Sequence, residues 1–282
     1  LAGMNVFDSI CHAFSTVAIG GFSNHDASLG YFNSPMVNVV CTVFLLIAAL
    51  NFSLHYAAVS SRSVKGYFKD PEFKAFFIIQ ASLIGICFLV LTLSGYYTSA
   101  EQALDQAMIQ AVSISTTAGF ATTDFSIWPT FLPIMLIFSS FIGGCASSTG
   151  GGLKVVRVCL LFLQGKREVD RLIHPKAVYS VKFGDRAMPD RVVEAVWGFF
   201  SAYAVVFVVL MIGLIATGLD NLSAFTATAA MLNNLGPGLG SVAANYADVT
   251  DAGKWILVTG MVFGRLEVFS LLVLFSPTFW RS

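Results

Sequence analysis

Ala111-Val-Ser-Ile-Ser-Thr-Thr-Ala-Gly-Phe-Ala-Thr-Thr-Asp124 is a small, polar, glycine-bearing strip set between a short helix-like run and a long apolar segment. The chain contains it more than once. Ala13-Phe-Ser-Thr-Val-Ala-Ile-Gly-Gly-Phe-Ser-Asn-His-Asp26 aligns with it without gaps, matching Ala13 to Ala111, Ser15 to Ser113, Gly21 to Gly119, Phe22 to Phe120 and Asp26 to Asp124. Met231-Leu-Asn-Asn-Leu-Gly-Pro-Gly238 places Gly236 in the same role. Backbone that is neither helix nor sheet survives at membrane depth only where it lines a watery path or is buried in protein. Set around an axis, such strips offer rings of carbonyl oxygens to a dehydrated cation. One glycine-rich turn is ordinarily just a turn; three in step with the surrounding pattern point to part of an ion-conducting pore.

The bulk composition agrees. Hydrophobic residues make up 56% of the 282-residue chain and charged residues 11%, with a mean hydropathy of +0.76. Soluble domains carry about 25% charged residues, so this is the composition of an integral membrane protein. The formal net charge is zero, which gives no reason to expect nucleic acid as a partner. Cys11, Cys41, Cys87, Cys145 and Cys159 are scattered through apolar runs without a C-x-x-C pair. They read as small core residues, not as a metal site or disulfide framework. Leu1 opens the chain without a charged n-region, so no signal peptide is expected. The first run is a short one, which predicts a C-terminal fragment of a longer protein.

A spanning helix needs about 20 apolar residues, and Met36–Ser60, Phe73–Tyr96, Thr130–Gln164, Val192–Thr217 and Trp255–Phe275 qualify. Asn5–Phe14, Ala100–Ile114 and Asn221–Met231 are too short to cross and run directly into the strips. The order predicts an all-α integral membrane protein of repeated membrane–pore–membrane units, as in potassium channels, with re-entrant pore helices and selectivity-filter loops. Residues 1–60 make a partial repeat of pore helix, filter and inner helix. Residues 61–72 make a loop, 73–164 a full repeat, 165–190 a second loop and 191–282 another repeat. Arg62, Lys65, Lys69 and Lys74 crowd one loop, and the basic residues from Lys154 to Arg191 crowd the other. The positive-inside rule puts both in the cytoplasm, where they also meet lipid headgroups. Asp26, Glu101, Asp105, Asp124, Asp220, Asp248 and Asp251 lie on the filter side, opposed only by Lys254. The filters therefore face outside, behind an acidic vestibule that concentrates cations.

Potassium selectivity asks for stacked backbone carbonyls and a residue free to take unusual dihedrals, which glycine supplies. The strips placed around the ion are Val17, Ala18, Ile19, Gly20 and Gly21; Ser115, Thr116, Thr117, Ala118 and Gly119; and Leu232, Asn233, Asn234, Leu235 and Gly236. Their carbonyls act, so side-chain identity can drift between repeats. The short helices aim their negative C-terminal ends at the cavity below and favour a cation there.

With these residues in hand, the sequence resembles the membrane subunit of bacterial Trk-type potassium uptake systems, in the Trk/Ktr/HKT superfamily, closest to the TrkH type. The resemblance is carried by Phe14–Ser23, Ser115–Phe125, Gly143-Gly-Cys-Ala-Ser-Ser-Thr-Gly-Gly-Gly-Leu-Lys154 and Asn233–Gly238, and it runs along essentially the whole chain. It implies four membrane–pore–membrane repeats in one polypeptide and a homodimer in the bacterial inner membrane. It also implies a cytoplasmic nucleotide-binding regulatory ring (TrkA-like), with K⁺ as substrate and no covalent cofactor. The chain departs from that pattern with three strips and about two and a half repeats. On this numbering residues 1–60 belong to the second repeat, and the chain alone cannot enclose a fourfold pore. Pro237 also stands where the other strips have Phe22 and Phe120.

Gly143, Gly144, Gly150, Gly151 and Gly152 interrupt the run Thr130–Gln164, where they cannot hold a regular helix well. A phosphate loop is excluded because Leu153 separates Gly152 from Lys154, breaking the G-x-x-x-x-G-K-[ST] order, and no buried strand precedes it. A kink or a small-residue helix contact would suit residues 143–152; the resemblance implies an intramembrane gate. Arg265 sits with Glu267 in the last apolar run, where charges are expensive. A structural role is one reading, either an Arg265–Glu267 pair, weakened because residues two apart on a helix do not face each other, or Arg265 capping carbonyls of a neighbouring helix. A fixed positive charge beside the gate is the other, and the resemblance supports it. His12, His25, His55 and His174 are dispersed and read as ordinary polar contacts. The expected activity is potassium uptake, with a less selective K⁺/Na⁺ pathway or a non-conducting scaffold as alternatives. No H-E-x-x-H or G-x-S-x-G order supports an enzyme.

Overall fold

A computed structural model of the chain describes every residue except 1, 2, 130, 275, 278 and 282. Three short helices precede the three strips: α1 (Val6–Val17), α6 (Ala100–Ser115) and α10 (Asn221–Leu232). Each begins on a side-chain cap. Asn5 accepts from the Asp8 N–H, Ser99 from the Gln102 N–H and Asp220 from the Ser223 N–H, which satisfies donors that a helix start leaves open. The other helices are α2 (Pro35–Ala48), α3 (Phe52–Ser61), α4 (Lys65–Lys69), α5 (Pro71–Leu93), α7 (Leu132–Ser140), α8 (Val155–Ile173), α9 (Asp190–Ala216), α11 (Asp251–Arg265) and α12 (Val268–Leu274). Lys182–Phe183 (β1) and Arg186–Ala187 (β2) pair as an antiparallel hairpin, a minor exception to the helical fold. Gly184, at φ 62, turns it.

The short helices form the centre. α6 packs on α5 and α2, and α10 packs on α9 and α11. Ile109 through Ser115, the last turns of α6, are buried on every side. Ala224, Ala227, Ala229 and Ala230 give α10 a small surface on which its neighbours close.

α5 and α9 are long and apolar enough to cross a membrane, and α2 with α3 makes a third candidate bent by 90°. The three inner runs expected as spans are each interrupted, the second of them where its glycine run predicts a break. The first breaks between Ala48 and Phe52, where Asn51 accepts from the Ser53 N–H and starts a new helix. The second breaks from residue 141 to 154, at the glycine run. The third breaks after Arg265, where Glu267 takes a left-handed φ of 57. Thr130 and Phe275, ends of two expected spans, lie outside the described residues. Helix α8 runs on to Ile173, into the stretch read as loop. The two basic segments meet where Gly184 packs on the Pro71 ring.

Candidate functional site

The three strips repeat one backbone construction. Ile19, Thr117 and Asn234 all have positive φ, at 51, 69 and 56. Two residues on, Gly21, Gly119 and Gly236 are positive again, at 66, 85 and 103. The N–H groups of Ile19, Thr117 and Asn234 bond back to the carbonyls of Thr16, Ile114 and Met231. Those of Gly20, Ala118 and Leu235 reach Ser15, Ser113 and Ala230. This is the Schellman ending of a helix, which uses up the N–H groups of the exit turn. Glycine or asparagine normally holds its left-handed position; here β-branched Ile19 and Thr117 do so in two cases, at a cost of about 1–2 kcal/mol each. All three residues were placed in the strips from sequence, but unusual dihedrals were expected of the glycines, and only Asn234 carries a residue-type signal for a left-handed backbone.

The carbonyls are left over. Among the described residues, only those of Val17 and Gly236 in the three strips accept a protein hydrogen bond, from Thr149 Oγ1 at 3.1 Å and Tyr246 Oη at 2.8 Å. Uncommitted carbonyls in register are what a desolvated cation can use.

The strips also interlock. A Cβ on Gly21 would collide with the Ala118 carbonyl, and one on Gly119 with the Leu235 carbonyl. Each glycine thus admits its neighbour's backbone. Gly236 has nothing within 4 Å of its Cβ position, so the arc of strips is open on that side. Above the arc lies a cavity of ≈ 820 Å³ that reaches all three glycines together with Asp26 and Asp124. Glu101 and Asp105 line a separate polar cavity, where Asp105 accepts from Asn38 Nδ2 at 2.7 Å. Asp220 caps α10.

Residues 141–154 lie against the other face of the strips. Gly151 N–H donates to Thr117 Oγ1 at 2.7 Å, and a Cβ on Gly151 would strike the Asn233 carbonyl. Gly150 approaches the Thr116 carbonyl in the same way, and Gly144 packs beside Ala49 at the first helix break. Gly143 and Gly152 meet at the neck of the loop, which Leu153 N–H to Phe141 and Val155 N–H to Gly144 close. The loop therefore touches all three strips, through Val17, Thr116 with Thr117, and Asn233. Asn233 is fixed from its side chain, accepting from Tyr203 Oη at 2.6 Å and donating to Ser140 Oγ at 2.9 Å.

Under the loop a cavity of ≈ 150 Å³ holds Lys154, Arg157, Arg265 and Glu267. Arg265 Nη1 donates to the Thr149 carbonyl at 3.1 Å. Glu267 pairs with Arg157 at 2.7 Å, and Arg157 stacks 4.3 Å over the Phe199 ring. The Arg265–Glu267 pair weighed from sequence is not formed, because the helix ends between the two residues. Lys154 Nζ donates to the Gly150 carbonyl at 2.6 Å, a contact the sequence reading did not anticipate. His12 contacts the Asp8 carbonyl and Ser23, and His55 contacts Tyr67 and the Ile47 carbonyl.

Short helices that end in strips of open carbonyls, ringed by longer apolar helices, define a membrane protein of potassium-channel-like build. Its relatives make the assignment specific: the chain belongs to the TrkH family of cation transport proteins, whose pattern matches residues 1–282. It is 64% identical to the Trk system potassium uptake protein TrkH of Vibrio parahaemolyticus, over the whole chain and 59% of that protein. It is 59% identical to the TrkH of Escherichia coli K12 and 39% identical to the TrkG of the same strain, in each case over the whole chain and 58% of the relative. The crystal structure of the potassium transporter TrkH from Vibrio parahaemolyticus matches with a TM-score of 0.95 at 64% identity, over 99% of this chain and 60% of that one. The chain spans about three fifths of the length of the relatives it matches. The family transports cations and is not a family of enzymes.

Proposed function

We propose that this chain supplies three of the four walls of a potassium-selective uptake pathway. The observation that carries the reading is the threefold repetition of one strip whose carbonyls, those of Val17 and Gly236 apart, are uncommitted, with Gly21 and Gly119 admitting the next strip's backbone. Residues 17–21, 115–119 and 232–236 form the filter, and a fourth strip from outside this chain closes the arc at Gly236. The names of the relatives support potassium as the ion.

Loop 143–152 is the gate. Its contacts with all three strips block the exit, and Arg265, held on the Thr149 carbonyl, adds a fixed positive charge beside it. The basic segments 61–72 and 165–190 face the cytoplasm of the inner membrane and meet lipid headgroups, a nucleotide-binding regulatory ring of the TrkA kind, or both; the full-length protein works as a homodimer. On this reading the repeats are residues 1–60, 73–164 and 191–282, with the 165–190 segment beginning as the continuation of α8.

Flux through the full-length protein in proteoliposomes tests the reading, with K⁺ and Na⁺ measured side by side. Potassium flux well above sodium flux is expected. Equal fluxes would favour a less selective K⁺/Na⁺ pathway, and no flux of either ion would favour a scaffold.

A further inference from the structure

Glu72 is buried, at 6% exposure, in the first turn of α5. An acid in a first turn ordinarily faces water and offsets the helix dipole. Glu72 does something else. The cap of its own helix is Asp70, whose side chain accepts from the Phe73 N–H. Glu72 Oε1 accepts instead from two N–H groups far along the chain, Ala146 at 2.7 Å and Val156 at 3.1 Å. Ala146 lies within the glycine loop, and Val156 in the first turn of the helix that follows it. One carboxylate oxygen thereby ties the body of the loop to the base of that helix. The adjoining residue, Pro71, carries the β1–β2 hairpin against its ring, so this contact sits where the two basic segments meet.

We propose that Glu72 is a positioning residue, a clasp that keeps loop 141–154 against the strips. The inference rests on the reading of that loop as a gate. With the clasp in place, Gly151 stays on Thr117 and Thr149 on the Val17 carbonyl. Without it, two N–H groups lose a charged acceptor, and bonds of that kind are about twice as strong as neutral ones.

The test uses the full-length protein with Glu72→Ala, Glu72→Gln and a loop-shortened variant lacking Gly150 and Gly151. Basal K⁺ flux in proteoliposomes and hydrogen exchange across residues 143–156 are measured for each. Glu72→Ala should raise basal flux about tenfold, equivalent to about 1.4 kcal/mol, and speed exchange within the loop. Glu72→Gln keeps an acceptor oxygen but loses the charge, and should fall between the alanine variant and wild type. If the shortened loop leaks while Glu72→Ala stays at wild-type flux or drops below it, the clasp is refuted and the gate stands. If the shortened loop does not leak, the gate reading fails and takes the clasp with it. Should Glu72→Ala not fold, Glu72→Gln decides: wild-type flux and exchange in that variant overturn the proposal.

Discussion

Gly20 and Gly21 are adjacent and identical in sequence, yet an alanine at each should have opposite consequences. Gly20 is not among the residues of positive φ, and its Cβ position is bounded by the Phe22 ring at 3.3 Å. That ring is 82% exposed and can move aside. The equivalent positions in the other strips are already Ala118 and Leu235. Gly20→Ala should therefore change stability by no more than about 0.5 kcal/mol and leave selectivity intact. Gly21 has a φ of 66, and its Cβ would collide with the Ala118 carbonyl oxygen. Holding alanine in the left-handed region costs about 1–2 kcal/mol, and relieving an overpacked contact costs about 1–3 kcal/mol. Together that is about 2–5 kcal/mol placed on the junction between two strips. Since about 1.4 kcal/mol is a factor of ten, even the lower figure should reduce the K⁺/Na⁺ preference more than tenfold or abolish flux. The assay is paired K⁺ and Na⁺ flux in proteoliposomes of the full-length protein, with thermal unfolding as a control for folding. Loss of selectivity in both variants, or in neither, would show that backbone geometry at Gly21 does not set the filter.

Shortening loop 143–152 should raise basal flux; reduced folded yield with no leak would mean that the loop is only a packing element. Arg265→Ala removes the contact with the Thr149 carbonyl and should increase cation flux, while Arg265→Lys stays within about twofold because it keeps the charge but not the planar fork. Lower flux and a lower Tm in the alanine variant would assign Arg265 a structural role. Reversing Lys166 and Arg171 to Glu should weaken binding of the regulatory ring and nucleotide-stimulated flux without unfolding the protein; retention of both would place regulation elsewhere. Arg167 must be left out of that experiment, because it is 8% exposed and pairs with Asp190 at 2.6 Å. Arg167→Glu should cost about 1–3 kcal/mol, less than a fully buried pair because Asp190 is 71% exposed, and a melting curve checks it.

The short helices were legible because each runs straight into a glycine strip. The expected Asn5–Phe14, Ala100–Ile114 and Asn221–Met231 fall within a few residues of α1, α6 and α10. The breaks in the inner helices were less so. The glycine run at 143–152 announced one, but Ala49–Asn51 and Leu266–Glu267 sit inside runs that are apolar on both sides, where a single Asn51 or the charges Arg265 and Glu267 do not by themselves mark a helix end. Helix α8 was cut short at Gln164 because its later turns are polar, although Val155, Leu160, Gln164 and Arg167 are its buried face and keep helical spacing. Gly184-Asp185 between Phe183 and Arg186 was a hairpin signal that passed unread. Glu72 left no trace in sequence, since an acid after Asp-Pro at a helix start looks like a first-turn charge. Its partners lie 74 and 84 residues away.

Ile19 and Thr117 carry a further consequence, for how the molecule comes together. β-branched residues do not hold a left-handed conformation by preference, and the outer glycines of these two strips, Gly21 and Gly119, lie against the backbone of the next strip. Neither strip is therefore stable in the form described until its neighbour has arrived. Helices can pair one repeat at a time, but the backbone of these two strips takes its shape only where one repeat meets the next.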